Sequence, residues 1–108
     1  MSDLSIVNAA NFSTEVLESN TPIVVDFWAA WCPPCNKISP MLEQAATDYD
    51  GRLQIVKVDC DRDQQLASQY NIRNIPALIL FNNGREVRRH SGALNRSTFD
   101  EFVRDNLR

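Results

Sequence analysis

Glycine is scarce in this sequence, at three residues of 108, and histidine scarcer, at one. Few glycines leave few places where the backbone can take positive φ without steric cost. Cysteine is also sparse, and its count of three is odd. At least one thiol must stay outside any intramolecular disulfide, which argues against a stapled secreted miniprotein and for a reducing compartment. A net charge of −3 leaves no basic surplus of the kind that binds nucleic acid or an acidic membrane. Long apolar runs are missing too: a stretch such as Ala77 to Phe81 falls far short of the roughly 20 residues that a membrane span requires. Met1-Ser2-Asp3-Leu4 lacks the basic-then-apolar order of a secretory signal, so the expected location is cytoplasmic. No repeat, low-complexity tract or linker interrupts the chain. At 44% hydrophobic and 23% charged residues, it has the composition of a single folded domain over residues 1–108.

Short strand-like and helix-like patterns alternate, the mark of an α/β domain. Ser5 to Val7 reads as a short strand. Asn8 or Asn11 can cap a helix running to about Ser19, with Phe12, Val16 and Leu17 on one face, before Asn20-Thr21-Pro22 breaks it. Ile23 to Trp28 is a nearly continuous apolar, β-branched run and reads as a central strand covered on both faces. Asp26 inside it is costly and needs a reason. Helical spacing from Pro33 to Tyr49 puts Ile38, Leu42, Ala45 and Tyr49 on one stripe, with Pro40 expected to kink it and Gly51 just past its end. Leu53 to Val58, carrying Lys57, and Ala77 to Phe81 are further apolar strands, separated by a short helix from Gln64 to Tyr70. Asn82-Asn83-Gly84-Arg85 signals a hairpin into a polar strand from Glu86 to Ser91, near a sheet edge. Asn95 can cap a last helix with Phe99, Phe102, Val103 and Leu107 as its apolar stripe. Asp100 and Glu101 early in it, and Arg104 and Arg108 late, would complement its dipole. Helix-linked strands should be parallel with right-handed crossovers, and the hairpin adds antiparallel strands. The sheet is therefore mixed, with helices on both faces.

The strongest chemical signal is Trp31-Cys32-Pro33-Pro34-Cys35, between an apolar strand and a helix. Two cysteines at this spacing can close a small disulfide ring across the first helical turn. Cys32 would sit at the helix N-cap, where unpaired N–H groups and the positive dipole end favour a thiolate, the nucleophilic form. Cys35 is then placed to attack a mixed disulfide and expel the substrate thiol. Prolines are tolerated here because first-turn N–H groups lack intrahelical partners. The competing reading is half of a zinc site. Zinc takes four ligands, and only Cys60 and His90 remain as Cys or His candidates, without finger-like spacing.

Taken together, Val25 to Cys35, Pro40, Lys57-Val58-Asp59, Tyr70 to Pro76, Phe81-Asn82-Asn83-Gly84 and Gly92-Ala93 resemble the thioredoxin family, in order and spacing, over nearly the whole chain. The resemblance implies a thioredoxin fold: a central mixed five-stranded sheet flanked by four helices. It implies a thiol–disulfide oxidoreductase that reduces protein disulfides through a Cys32/Cys35 dithiol–disulfide cycle. Thioredoxin reductase would recharge it. No cofactor would be bound, and NADPH would enter only through the reductase. Partners would be that reductase and disulfide-containing proteins, with the chain itself a monomer. The resemblance makes Cys32 the attacking sulfur, Cys35 the resolving one, Asp26 the buried acid/base for the Cys35 proton and Lys57 its charge partner. A carboxyl on a doubly covered strand should have a raised pKa from desolvation. The family's cis-proline segment matches Ile75-Pro76, whose backbone would pair with an extended substrate. Trp31, Pro76, Gly92 and Ala93 would complete the docking rim.

Blander readings stand beside these. Asp26 can be a structural carboxyl, Lys57 a snorkelling surface lysine and Trp31 an ordinary rim aromatic. Trp28 reads as core, Cys60 as a small hydrophobe with a regulatory or dimerising thiol as its alternative, and His90 as solvated. Several positions depart from the family pattern. Pro33-Pro34 stands where Gly-Pro is usual, so one N–H near the Cys32 sulfur is missing and the thiolate should be less favoured than in Gly-Pro relatives. Asn36, Asn74, Cys60 and Ala77 stand where Lys, Gly, an apolar residue and Thr are frequent. Alternatives to a reductase are a disulfide oxidase or isomerase with a shifted potential, and a non-catalytic binding subunit of the same fold.

Overall fold

In a computed structural model describing residues 4–108, the apolar run at Ile23–Trp28 forms the middle strand of the sheet, β2. Around it lie β1 (Ser5–Ile6), β3 (Gln54–Asp59), β4 (Ala77–Asn82) and β5 (Arg85–Ser91). The helices are α1 (Pro33–Asp48), α2 (Gln64–Gln69) and α3 (Arg96–Val103), with a π-helical segment at Ser13–Leu17. The strand order is β1-β3-β2-β4-β5. β1 and β2 run parallel to β3, while β4 runs antiparallel to both β2 and β5. This is the mixed five-stranded sheet that the pattern of elements predicts.

Alternation along the strands splits the core in two. Ile23, Val25, Phe27, Val56, Val58, Ile79 and Phe81 pack with Phe12, Val16, Leu66 and Ala67, beneath the π-helical segment and α2. Val24, Ile55, Leu78 and Leu80 face the other way, against Ile38, Leu42 and Ala45 of α1 and Phe99, Phe102 and Val103 of α3. Asp26 and Lys57 are register partners, so both project to this second face. The hairpin is tight for two reasons. Asn83 and Gly84 take φ of 54° and 80°, the positive pair of a type I′ turn. A Cβ at Gly84 would also lie 2.8 Å from the Leu17 carbonyl oxygen.

Several elements differ from the sequence expectation. The first helix does not extend from Asn8 or Asn11 to Ser19. The Asn8 carboxamide oxygen accepts from the N–H groups of Ala10 and Asn11, and Asn11 Oδ1 accepts from the Asn8 N–H. These local bonds offer the backbone an alternative to helix. α3 stops at Val103, and Asp105 takes a positive φ of 69°. Arg104 and Arg108 therefore lie past the helix. The positive charge at its C-terminal end comes from Arg88 on β5, which donates to the carbonyls of Glu101 and Phe102. His90 is not solvated: it is half-buried, with its ring edge-on to Phe102.

Candidate active site

The turn after β2 delivers Cys32 to the start of α1. A residue preceding proline is pushed towards extended backbone, and Cys32 has φ −96° and ψ 104°, the N-cap conformation. Pro33 and Pro34 fill the first helical positions. Cys35, one place on, donates its N–H to Cys32 Sγ at 3.2 Å. The two cysteines are joined in a disulfide with Cα atoms 5.3 Å apart. Each is only 3% exposed, and they pack with Ala29, Trp28 and Ile75.

The Ile75–Pro76 bond is cis, and the Ile75 carbonyl oxygen lies 3.8 Å from Cys32 Sγ. The Gly92 N–H donates to the Pro76 carbonyl at 2.8 Å, drawing the end of β5 against this segment. Trp31 is 68% exposed beside the disulfide. Its indole N–H donates to Asp61 Oδ1, and Asn36 Nδ2 donates to the Ala30 carbonyl, so both ends of the turn are held. Sequence reasoning assigned no role to Asp61 or to the Asn36 side chain. A signal for Asp61 existed: Trp28 and Asp59 are register partners, which brings the loop after β3 beside the turn after β2.

Asp26 is 1% exposed, and its Oδ1 has no hydrogen-bond partner in the protein. Burial raises its pKa from 3.8 to about 7, with the positive charge of Lys57 pulling the other way. Lys57 is not a surface lysine. It is 5% exposed, and its ammonium stands 3.9 Å from the centre of the Trp28 ring. A cation over an indole face is favourable, the more so when desolvated. Lys57 thus acts on Asp26 through space while bracing Trp28 against the disulfide. Trp28 is half-buried rather than core, and it packs against the cluster that holds both cysteines.

Cys60 is half-buried beside the Phe27 core cluster. Burial, then the charges of Asp59, Asp26, Asp61 and Asp63, push its thiol up to about 11. It is protonated at neutral pH and therefore a weak nucleophile there. Among the described residues, no group of three or more His, Cys, Asp or Glu side chains is placed to hold a metal ion.

The Cys32 sulfur thus lies at the positive end of α1, but Pro33 and Pro34 bring no N–H to it. Pro33→Gly restores one donor at the first helical position. The expected outcome is a larger thiolate fraction on reduced Cys32, read as faster alkylation by iodoacetamide at pH 6. Equal or slower alkylation would show that the missing N–H is not what tunes this sulfur.

Comparison with known proteins agrees with this geometry. The thioredoxin family model matches residues 3–105. Thioredoxin C-2 of Corynebacterium nephridii is 46% identical over 105 residues, covering 95% of this chain and 97% of that protein. Thioredoxin 1 of a Nostoc species is 40% identical over 107 residues, covering 99% and 100%. The thioredoxin of Haemophilus influenzae is 37% identical over 107 residues, with the same coverage.

Proposed function

The chain belongs to the thioredoxin family of protein-disulfide reductases and is a thiol–disulfide oxidoreductase; from that premise we propose which of its residues carry the reaction. Reduced Cys32 attacks one sulfur of a substrate disulfide as its thiolate. A bond forms between Cys32 Sγ and that sulfur, and the other substrate sulfur leaves as thiolate and takes a proton. Cys35 then passes its proton to Asp26 and attacks Cys32 Sγ, expelling the second substrate thiol. Two electrons have moved to the substrate, and the chain holds the Cys32–Cys35 disulfide. In the family's general role a thioredoxin reductase returns them from NADPH. No bound cofactor takes part.

The observation that supports this assignment best is the Cys32 sulfur at the N-cap of α1, 3.8 Å from the Ile75 carbonyl. An extended substrate pairing with the Ile75 backbone would carry its disulfide onto that sulfur. Trp31, Ile75, Pro76, Gly92 and Ala93 are the proposed rim, while Pro33 and Pro34 set the thiolate's surroundings. A carboxyl with a pKa about 7 is half-ionised near neutral pH, so it can both take and return a proton. Lys57 is the proposed tuner of that value. Lys57→Met removes the charge that lowers it, so the Asp26 carboxyl should titrate above about 7, and the pH at which Cys35 resolution accelerates should rise with it. Carboxyl titration by NMR reads the first, stopped-flow across pH the second. A downward move of either would remove Lys57 from the site.

We place the chain in the cytoplasm, as a monomer. An unpaired Cys60 fits a compartment that keeps thiols reduced. On the edge strand β5, Arg85, Glu86, Arg88 and Arg89 discourage edge-to-edge pairing. The deciding assay couples the chain to a thioredoxin reductase, NADPH and insulin. Insulin-dependent NADPH consumption is expected. Its absence with every reductase, together with an equilibrium against glutathione poised on the oxidising side, would replace this reading with that of an oxidase or isomerase.

A further inference from the structure

The docking rim does not end at Ala93. A groove of about 520 Å³ opens there, between the first half of α1 and the connection from β5 to α3. Its floor is apolar: Ile38 is buried, and Met41 and Leu94 are half-buried. Its far wall is Arg96, whose guanidinium is held by Asp48 at 2.7 Å and Asp100 at 2.8 Å. Tyr49 donates its hydroxyl to the same Asp100 oxygen, which locks the start of α3 against the end of α1. The wall is therefore preorganised, and Arg96 has its charge already met. Lys37 on the near wall is exposed and takes part in no ion pair among the described residues.

We infer that this groove is a second docking subsite for the disulfide-bearing protein substrate. It takes a large apolar side chain from the segment flanking the reactive cysteine, with a carboxylate beside that side chain facing Lys37. This rests on the rim reading above, and two features connect them. Ala93 lines both rim and groove, so a chain laid across the Ile75 backbone and out past Ala93 next meets Leu94 and Met41. Charge complementarity supplies the second: the uncommitted charge at the groove is positive. Strand pairing through Ile75 uses substrate backbone and tells little between sequences. The groove adds side-chain selection without changing the chemistry at Cys32. A small disulfide with no flanking chain gains nothing from it.

The test uses four disulfide-linked peptides of equal length, whose residues flanking the reactive cysteine combine Glu or Lys with Leu or Ser. Ratios of kcat/KM between peptides are compared within each variant, so any change in thiol reactivity cancels. Wild type should prefer Glu-Leu over Lys-Ser. Lys37→Glu should lower or invert the Glu-over-Lys ratio, a change of about fivefold for an exposed pair. Met41→Gln should lower the Leu-over-Ser ratio and leave the charge ratio alone. If wild type reduces all four peptides equally, or its preferences survive both substitutions, the subsite is overturned while the dithiol reading stands. If wild type reduces none of the peptides, both readings fall.

Discussion

Asp26→Asn is expected to stabilise the protein at pH 8 by up to about 4 kcal/mol and to slow its redox cycle. The stability effect follows from linkage. The Asp26 carboxyl titrates at 3.8 when exposed and at about 7 in the fold, because burial disfavours the charged form more than Lys57 favours it. Between those values the native chain holds a proton that the unfolded chain has lost, so stability falls as pH rises through this window and is level above it. At about 1.4 kcal/mol per pKa unit, the interval amounts to roughly 4 kcal/mol. Asparagine copies the protonated carboxyl in shape and carries no charge. Urea unfolding of the pair should therefore coincide near pH 4, diverge from pH 4 to 7 and differ by a constant amount above that. Curves that coincide at pH 8 would mean the carboxylate costs nothing where it sits. The catalytic effect has the opposite sign. A general base typically contributes on the order of a hundredfold, and losing it should slow Cys35 attack by about tenfold or more. The stabilised variant would be the poorer reductase, as expected where a strand keeps a destabilising charge for its chemistry.

The parts of this structure that sequence reasoning found are those decided locally. Ile23–Trp28 matches its expected bounds because an apolar, β-branched run has few other ways to be buried. Gly84 and Asn83 announce their turn because few residues accept two successive positive φ values. Cys32 falls on the N-cap because the prolines that follow it exclude it from the helix and start the helix together. Asn95 accepts from the Thr98 N–H as a capping side chain should.

Most of the misses depend on contacts between distant segments; the first helix is the exception, displaced by local bonds around Asn8 and Asn11. Nothing near Arg104 tells that Arg88, on another strand, supplies the charge at the end of α3. The His90 expectation failed similarly, since an edge strand exposes its outer residues only until a helix leans over one face. For Lys57, a charged residue on an apolar strand has two solutions, reaching out to water or finding an internal partner. The choice turned on Trp28, one strand away and two residues beyond the Asp26 register. The groove between α1 and α3 has no sequence signature. Lys37, Met41 and Leu94 are unremarkable singly and adjoin because α1 and α3 pack on the same face of the sheet, with Arg96 bridging them.

Cys35→Ser should abolish multiple-turnover reduction and at the same time trap substrate on the chain, whereas Cys32→Ser should abolish turnover and trap none. Exposure does not distinguish the two sulfurs, since both residues are equally covered. Position does. Cys32 Sγ accepts the Cys35 N–H at the start of α1 and adjoins the Ile75 carbonyl, so negative charge and substrate both arrive there. Cys35 lies one turn before Ile38 on the buried stripe of α1, inside the helix rather than at its cap. A substrate disulfide can therefore be opened by Cys32 alone, but the mixed disulfide so formed has no internal nucleophile once Cys35 is serine. Release then waits for an external thiol, on a timescale of minutes to hours. Intact mass spectrometry after mixing with a disulfide-bearing peptide should show one peptide added to Cys35→Ser, removed by dithiothreitol, and none on Cys32→Ser. The effect is large, because serine at neutral pH is neither ionised nor activated here, and loss of either sulfur should cut turnover by about 1000-fold or more. An adduct on Cys32→Ser but not on Cys35→Ser would reverse the two roles, and with them the case for Asp26 as the base that serves Cys35.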